Sequence, residues 1–400
     1  MNLDQYLQQR LQEREGAGLT RERWICDSPQ SASRLIGERS YLNFSSNDYL
    51  GLADDPRIKE AMVLAVNQHG VGSGASHLTA GHHRAHHQLE QALAEFTGRE
   101  RVLLFSSGYM ANVGVICALM QKGDAIFHDR LNHASLLDAG QLSGATSRRF
   151  AHLDYEVLHK WLQKSQSSKR LVVTDGVFSM DGDRADLGQL SHLCKIHNAW
   201  LMVDDAHGLG VLGETGGGCA EIDALDQQDL PILVGTLGKA FGTSGAFVAG
   251  SDSLIEALIQ FSRTYIYTTA MPPAVAEATQ VSLTLIQKEP WRRAHLSALI
   301  DQFRQGCKAK GIALMNSNTP IQPVLVGDTE NACKISELLK ESGCWVTAIR
   351  PPTVPQGTAR LRVTLTANHT SKQVDTLVSA LEKAFDLTAS FHPEQCGVVT

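Results

Sequence analysis

Three short segments carry residues that could act together on a small molecule. In Leu201-Met202-Val203-Asp204-Asp205-Ala206-His207-Gly208 an apolar run leads straight into two carboxylates and a histidine, as at the strand ends where open α/β sheets bind ligands. A carboxylate there can hold a proton or face a cation, or simply cap the next turn. A second apolar run, Pro231 to Val234, leads into Gly235-Thr236-Leu237-Gly238-Lys239-Ala240-Phe241-Gly242. A lysine amine can condense with an aldehyde and, when neutral, act as a base. Glycines on both sides of it predict a close approach of backbone to ligand. The spacing is not the G-x-x-x-x-G-K-[ST] of a P-loop. The third segment, Phe105-Ser106-Ser107-Gly108-Tyr109-Met110-Ala111-Asn112, reads as a strand, a tight turn and a helix start whose free N–H groups suit a phosphate. Each pattern alone has an ordinary reading as a cap, a surface turn or loop geometry; their combination, in this chain order, points to a site.

Such residues need a frame that brings distant segments to one edge. From about Asp54 the sequence alternates helical patterns with short apolar runs: Val102 to Phe105, Ala125 to His128, Leu171 to Thr174, Trp200 to Val203, Ile232 to Val234 and Ala246 to Ala249. Buried strands separated by helices predict an α/β fold with a large, mostly parallel sheet flanked by helices. After Met271-Pro272-Pro273 a helical stretch runs to about Ala309. Strand candidates follow at Ile321 to Val326, Trp345 to Ile349 and Leu361 to Leu365, with a closing helix near Val374 to Phe385. The expected organisation is an N-terminal arm and segment over 1–50, a large domain over 51–285, a smaller α/β domain over 286–386, and a loosely ordered tail over 387–400. Leu3, Leu7 and Leu11 predict an arm helix that packs on something else.

Composition narrows the partners. The net charge of −6 comes from 36 basic and 42 acidic residues without long runs, so neither nucleic acid nor a membrane surface is expected. The eight cysteines form no C-x-x-C pair and no zinc spacing and are read as reduced, mostly buried thiols. The first twenty residues are polar, and no window supplies the roughly 20 apolar residues of a membrane span, so a cytoplasmic protein is expected.

Together the phosphate turn, the carboxylate with its histidine and the glycine-flanked lysine resemble the aspartate-aminotransferase superfold of pyridoxal-phosphate enzymes. The match is closer to one family within it, the α-oxoamine synthases, which join an amino acid to an acyl-CoA with loss of carbon dioxide. It is carried by Asn43-Phe44-Ser45-Ser46-Asn47-Asp48-Tyr49-Leu50-Gly51-Leu52, Gly72-Ser73-Gly74, His128-Asp129-Arg130-Leu131-Asn132-His133-Ala134-Ser135, Val177-Phe178-Ser179-Met180-Asp181-Gly182-Asp183 and Thr236-Leu237-Gly238-Lys239. The resemblance implies pyridoxal 5'-phosphate as cofactor, joined to Lys239 as a Schiff base. It implies Asp204 on the pyridine nitrogen, His207 on the phenolic oxygen and His133 stacked on the ring. Gly108 and Tyr109 then meet the phosphate, and Ser179 and Thr236 the cofactor. Arg362 binds the amino-acid carboxylate, with Arg21, Asn47 and Thr353 near substrate. Without the resemblance, Arg362 could equally point outward with Arg360.

The segment Gly343 to Arg362, with Arg350-Pro351-Pro352-Thr353-Val354-Pro355 at its centre, resembles the family member that takes L-alanine and a pimeloyl thioester, on CoA or acyl carrier protein. It argues against a sister such as glycine C-acetyltransferase. A homodimer with shared active sites is also implied, Thr268 and Thr269 matching a segment that reaches the neighbouring subunit's phosphate. One feature departs from the family: His82-His83-Arg84-Ala85-His86-His87. Two i, i+4 histidine pairs could hold a metal, but the sequence shows no third ligand, so a solvated helix start without metal is expected.

Overall fold

The computed structural model describes residues 1–16, 19–21 and 23–391. Helix α1 (Leu3–Gly16) buries none of its residues, and Leu3, Leu7 and Leu11 are exposed in the single chain. Strands β1 (Ser33–Ile36) and β2 (Arg39–Asn43) pair as a hairpin, followed by helices α2 (Pro56–His69) and α3 (Arg84–Thr97). The large domain then unrolls as β3 (Arg101–Phe105), α4 (Gly108–Leu119), β4 (Ala125–Asp129), α5 (Ala134–Leu142), β5 (Thr146–Phe150), β6 (Arg170–Asp175), β7 (Trp200–Asp204), β8 (Ile232–Thr236) and β9 (Ala246–Gly250).

These strands make one sheet in the order β3-β9-β8-β7-β6-β4-β5. Only β9 runs against the rest. All six apolar runs fall in this sheet, because a strand covered by helices on both faces must be apolar on both; every residue of β4 and β9 is buried. Strand β5 has no such signature. Its Thr146, Ser147, Arg148 and Arg149 are exposed at the sheet edge, where pairing with β4 rather than burial defines the strand.

Two helices, Pro273–Lys288 and Trp291–Ala309, lead to the smaller part. The first begins at a proline, which suits the first helical position because the N–H that proline lacks would have no helical partner there. Beyond them lie β10 (Ile321–Gly327), β11 (Cys344–Trp345), β12 (Thr347–Ile349) and β13 (Ala359–Thr364). β10, β13 and β12 form an antiparallel sheet. The predicted single strand over residues 345–349 is instead two strands in two sheets: β11 runs parallel to β2, and β12 pairs with β13. The break falls at Val346, which is buried and whose carbonyl accepts the Ser336 hydroxyl at 2.6 Å. The closing helix, Ser371–Phe391, runs into the stretch read as an aperiodic tail; residues 392–400 lie outside those described. No helix among the described residues is long and apolar enough to cross a membrane.

Two of the glycines around Lys239, Gly235 and Gly242, make room for neighbouring protein. A Cβ on Gly242, whose φ is +67°, would lie 2.5 Å from the Ala53 nitrogen, and one on Gly235 would lie 2.5 Å from the Phe247 ring. These two admit neighbouring protein, whereas a Cβ on Gly238, directly before the lysine, would meet nothing nearer than the Thr243 carbonyl oxygen at 3.7 Å. Gly242→Ala should therefore cost roughly 2 kcal/mol or more, from left-handed strain plus a backbone clash. Denaturant unfolding checks this, and an unchanged midpoint would refute it.

Candidate active site

Five segments meet at the carboxyl edge of the parallel strands. β3 leads to the Ser106–Gly108 turn, β4 to His133, β6 ends on Asp175, β7 on Asp204, and β8 leads to Lys239. Asp175 and Asp204 are register partners on adjacent strands.

Asp204 is held by both oxygens. Asn112 of α4 donates from Nδ2 to Oδ2 at 2.6 Å and the Ala206 N–H donates to Oδ1 at 3.1 Å; the Asn112 amide also reaches the Ser135 hydroxyl at 2.8 Å. Asp205 points the other way, accepting the Cys219 N–H at 2.7 Å, and burial pushes it up to about 7. It is fully enclosed against the first turn of the short helix Gly218–Ile222. The pair left open by the sequence thus divides into one carboxylate at the strand-edge cluster and one structural group.

His207 bridges two side chains. Its Nε2 lies 2.8 Å from Lys239 Nζ and its Nδ1 lies 2.6 Å from the Tyr49 hydroxyl. Burial, then the charge of Lys239, holds the imidazole well below its ordinary range. A neutral imidazole donates from one nitrogen and accepts at the other, so the ring can pass hydrogen-bond polarity between Tyr49 and Lys239. Lys239 is itself pulled below the ordinary lysine range by burial; Asp204 and Asp175 pull it back up, and the Arg362 guanidinium adds to the lowering. Asp175 is pushed well above the carboxylate range by burial and by Asp204 beside it, while accepting the His133 N–H at 2.8 Å.

β13 delivers Arg362 to the same cluster. Its Nη2 donates to Asn47 Oδ1 at 3.2 Å and its Nε to the Ser179 carbonyl at 2.6 Å; the Tyr49 hydroxyl also reaches Asn47 Oδ1 at 3.2 Å. Ser179, Arg362, Asn47, Tyr49, His207 and Lys239 form one hydrogen-bonded chain linking β13 to the edge of the large sheet. Arg360, far from pointing outward, is buried and paired with Asp181.

The remaining predicted residues sit as follows. Ser107 caps α4 by accepting the Met110 N–H at 3.2 Å. That leaves the Gly108 and Tyr109 N–H groups without a protein acceptor among the described residues, as at any helix start. A Cβ on Gly108 would meet nothing within 4 Å. Tyr109 turns its hydroxyl to Asp138. Thr236 donates to the Gly245 carbonyl at 3.2 Å, and His133 caps α5. Thr268 is half-buried beside an exposed Thr269 that pairs with Ser76. Arg21 and Thr353 are exposed, and neither hydrogen-bonds to the Lys239 cluster among the described residues. Their segments approach each other instead: Arg350 donates to the Thr20 carbonyl at 3.2 Å and accepts the Thr353 N–H at 3.1 Å.

Sequence reasoning gave no role to Asn112, Tyr49 or Asp175. Asp175 had a visible signal, since Leu171-Val172-Val173-Thr174-Asp175-Gly176 repeats the pattern of an apolar run ending in a carboxylate. The contacts of Asn112 and Tyr49 exist only in the folded chain.

A buried amine, a carboxylate and an open helix start on one strand edge define a site for covalent amine chemistry on a phosphorylated group, and the relatives agree. Residues 39–381 match the family described as aminotransferase class I and II, and the chain belongs to that family. It is 56% identical over 383 residues, covering 95% of this chain and 96% of the relative, to the 8-amino-7-oxononanoate synthase of Saccharophagus degradans. That relationship puts it more narrowly in the 8-amino-7-oxononanoate synthase family. Among solved structures, the serine palmitoyltransferase of S. paucimobilis with bound PLP–myriocin superposes with a TM-score of 0.91 at 31% identity, over 98% of this chain and 100% of the other. The 8-amino-7-oxononanoate synthase of Francisella tularensis gives a TM-score of 0.76 at 32% identity, over 87% and 98%.

Proposed function

We propose that the protein condenses L-alanine with a pimeloyl thioester, on CoA or acyl carrier protein, to give 8-amino-7-oxononanoate, carbon dioxide and the free thiol, a step of biotin biosynthesis. The observation that carries this is the buried Lys239 amine, 2.8 Å from His207, in a chain of this family. The cofactor is pyridoxal 5'-phosphate (PLP), and the residues present fit it. The helix start at Gly108 and Tyr109 offers free N–H groups and open space to the phosphate. Lys239 offers the amine, Asp204 a carboxylate fixed at both oxygens for the ring nitrogen, His207 a neutral ring for the phenolic oxygen, and His133 a face for stacking. Ser179 and Thr236 complete the contacts.

When bound, PLP supplies a conjugated ring that accepts the electrons left on the amino-acid α-carbon. The chain's own groups do the rest. Lys239, its amine brought below the ordinary range by burial, is the base that takes the α-proton of alanine and later returns it. Arg362, fixed by Asn47 and the Ser179 carbonyl, binds the substrate carboxylate. Arg21 and Thr353 serve the acyl chain from the surface where Arg350 joins their segments.

The assembly we propose is a homodimer in the cytoplasm, Thr268 and Thr269 reaching the neighbouring subunit's phosphate. The exposed apolar side chains of Val71, Leu78 and Tyr267 support a covered surface there. Thiol release measured across alanine, glycine and serine with pimeloyl-, acetyl- and palmitoyl-CoA tests the function. Alanine with pimeloyl-CoA should give the highest kcat/KM, with 8-amino-7-oxononanoate as product; a preference for glycine with acetyl-CoA would overturn it.

A further inference from the structure

The histidine-rich stretch is solvated only in part: His82 and His87 are exposed, whereas His83 and His86 are built into the fold. His83 caps α3, and His86 is fully buried with both nitrogens committed: Nδ1 accepts the His83 N–H at 2.9 Å and Nε2 lies 2.8 Å from the Met271 carbonyl. That commitment removes His86 as a ligand, and with it the grouping of His77, His82 and His86. A second grouping survives. His82, His87 and Glu90 each present one ligand atom, all within 4.8 Å of one another. Glu90 is the third donor that the sequence pairing of histidines left out.

We infer that His82, His87 and Glu90 form a binding site for a divalent transition metal of the Zn2+, Co2+ or Ni2+ type. Two imidazoles and one carboxylate suit borderline cations rather than Mg2+ or Ca2+. With metal–ligand bonds of about 2.0–2.2 Å, a tetrahedral site needs ligand atoms roughly 3.3–3.5 Å apart. The contraction required from 4.8 Å is available by side-chain rotation, since His82 and His87 are exposed. His87 and Glu90 stand three residues apart on α3, so the helix already aligns them on one face.

The surroundings are those of a supported site. The Leu104 N–H donates to Glu90 Oε1 at 3.2 Å, fixing the carboxylate while its other oxygen remains for a metal. His77 Nδ1 lies 2.9 Å from His82 Nδ1, which occupies that nitrogen and leaves Nε2 as the available donor. His77 in turn stacks on Tyr265 with ring centroids 5.1 Å apart. Such outer contacts orient ligating histidines. The histidines are exposed in the single chain, and the fourth position falls to water. No catalytic part is assigned to the metal; it joins the turn at His77–Gly81 to α3.

The test uses the PLP-loaded enzyme, stripped of metal with a chelator and titrated with Zn2+ by calorimetry and with Co2+ by visible absorption. One ion per chain is expected, with the intense bands of a four-coordinate Co2+ site and a raised melting temperature. H87Q and E90Q should each weaken binding at least about tenfold, while H192A, at an exposed histidine elsewhere, should leave it unchanged. E90Q keeps an oxygen for the Leu104 N–H, and melting curves without metal confirm that each variant is folded. Absence of saturable binding, or affinity that survives both H87Q and E90Q, overturns the site.

Discussion

Lys239→Ala should lower thiol release from alanine and pimeloyl-CoA by at least about 1,000-fold, within the range a positioned acid–base group contributes. In the proposed reaction the methyl group removes both the amine that would anchor the cofactor and the base for the α-carbon. Nothing nearby replaces it. His207, the group nearest to Lys239 Nζ, is held neutral and has its far nitrogen tied to Tyr49; Arg362 cannot give up a proton near neutrality. The proposed phosphate contacts at the start of α4 do not involve Lys239, so the variant should still take up PLP without a covalent link. Borohydride treatment of the wild type, followed by digestion, should leave the cofactor mass on the peptide containing Lys239. Wild-type turnover by the variant, or labelling of another peptide, would refute the assignment.

Asp204→Asn should lower kcat by roughly 100-fold or more while the chain stays folded. Two effects act together. A neutral amide cannot hold a proton on the pyridine nitrogen, so the ring loses its capacity to accept electrons. Both oxygens of Asp204 also receive N–H donors, from Asn112 and from Ala206. An amide has only one oxygen, so one of those donors must face its NH2. The first effect falls on kcat, the second on the positioning of α4. An unchanged rate would remove Asp204 from its place. Asp205→Asn, at the enclosed neighbour, should show its effect in unfolding midpoint instead.

Much of the frame was legible because its signals are local. Each central strand is a short apolar run closed by Gly, Ser or Asp, and burial on both faces demands that composition. β5 was illegible because it is a polar edge strand, and the split of β11 from β12 was illegible because β11 pairs with β2 some three hundred residues earlier. The lysine, the carboxylate and the phosphate turn were legible as residue types at strand exits. The choice between Asp204 and Asp205 was favoured by strand order, but the reason is the Cys219 N–H that takes Asp205 out of the cluster. Two of the flanking glycines have a packing reason the sequence does not show: Gly242 makes room for the Leu52–Ala53 backbone and Gly235 for the Phe247 ring. Asn112 and Tyr49 were illegible as partners because hydrogen bonds between distant segments leave no spacing to read.

The common direction of the strands bears on how this enzyme can change over generations. Of the groups proposed for the chemistry, those carried by the large sheet stand at one end of its strands, and the opposite ends, at Arg101, Ala125, Arg170, Trp200 and Ile232, carry none of them. Variation at those ends is free to adjust solubility or heat tolerance without touching the reaction. The surface loop joined to Thr20 by Arg350 belongs to neither end, so under the proposed function it can vary, and acyl preference with it, while the lysine and carboxylate at the strand exits are inherited intact.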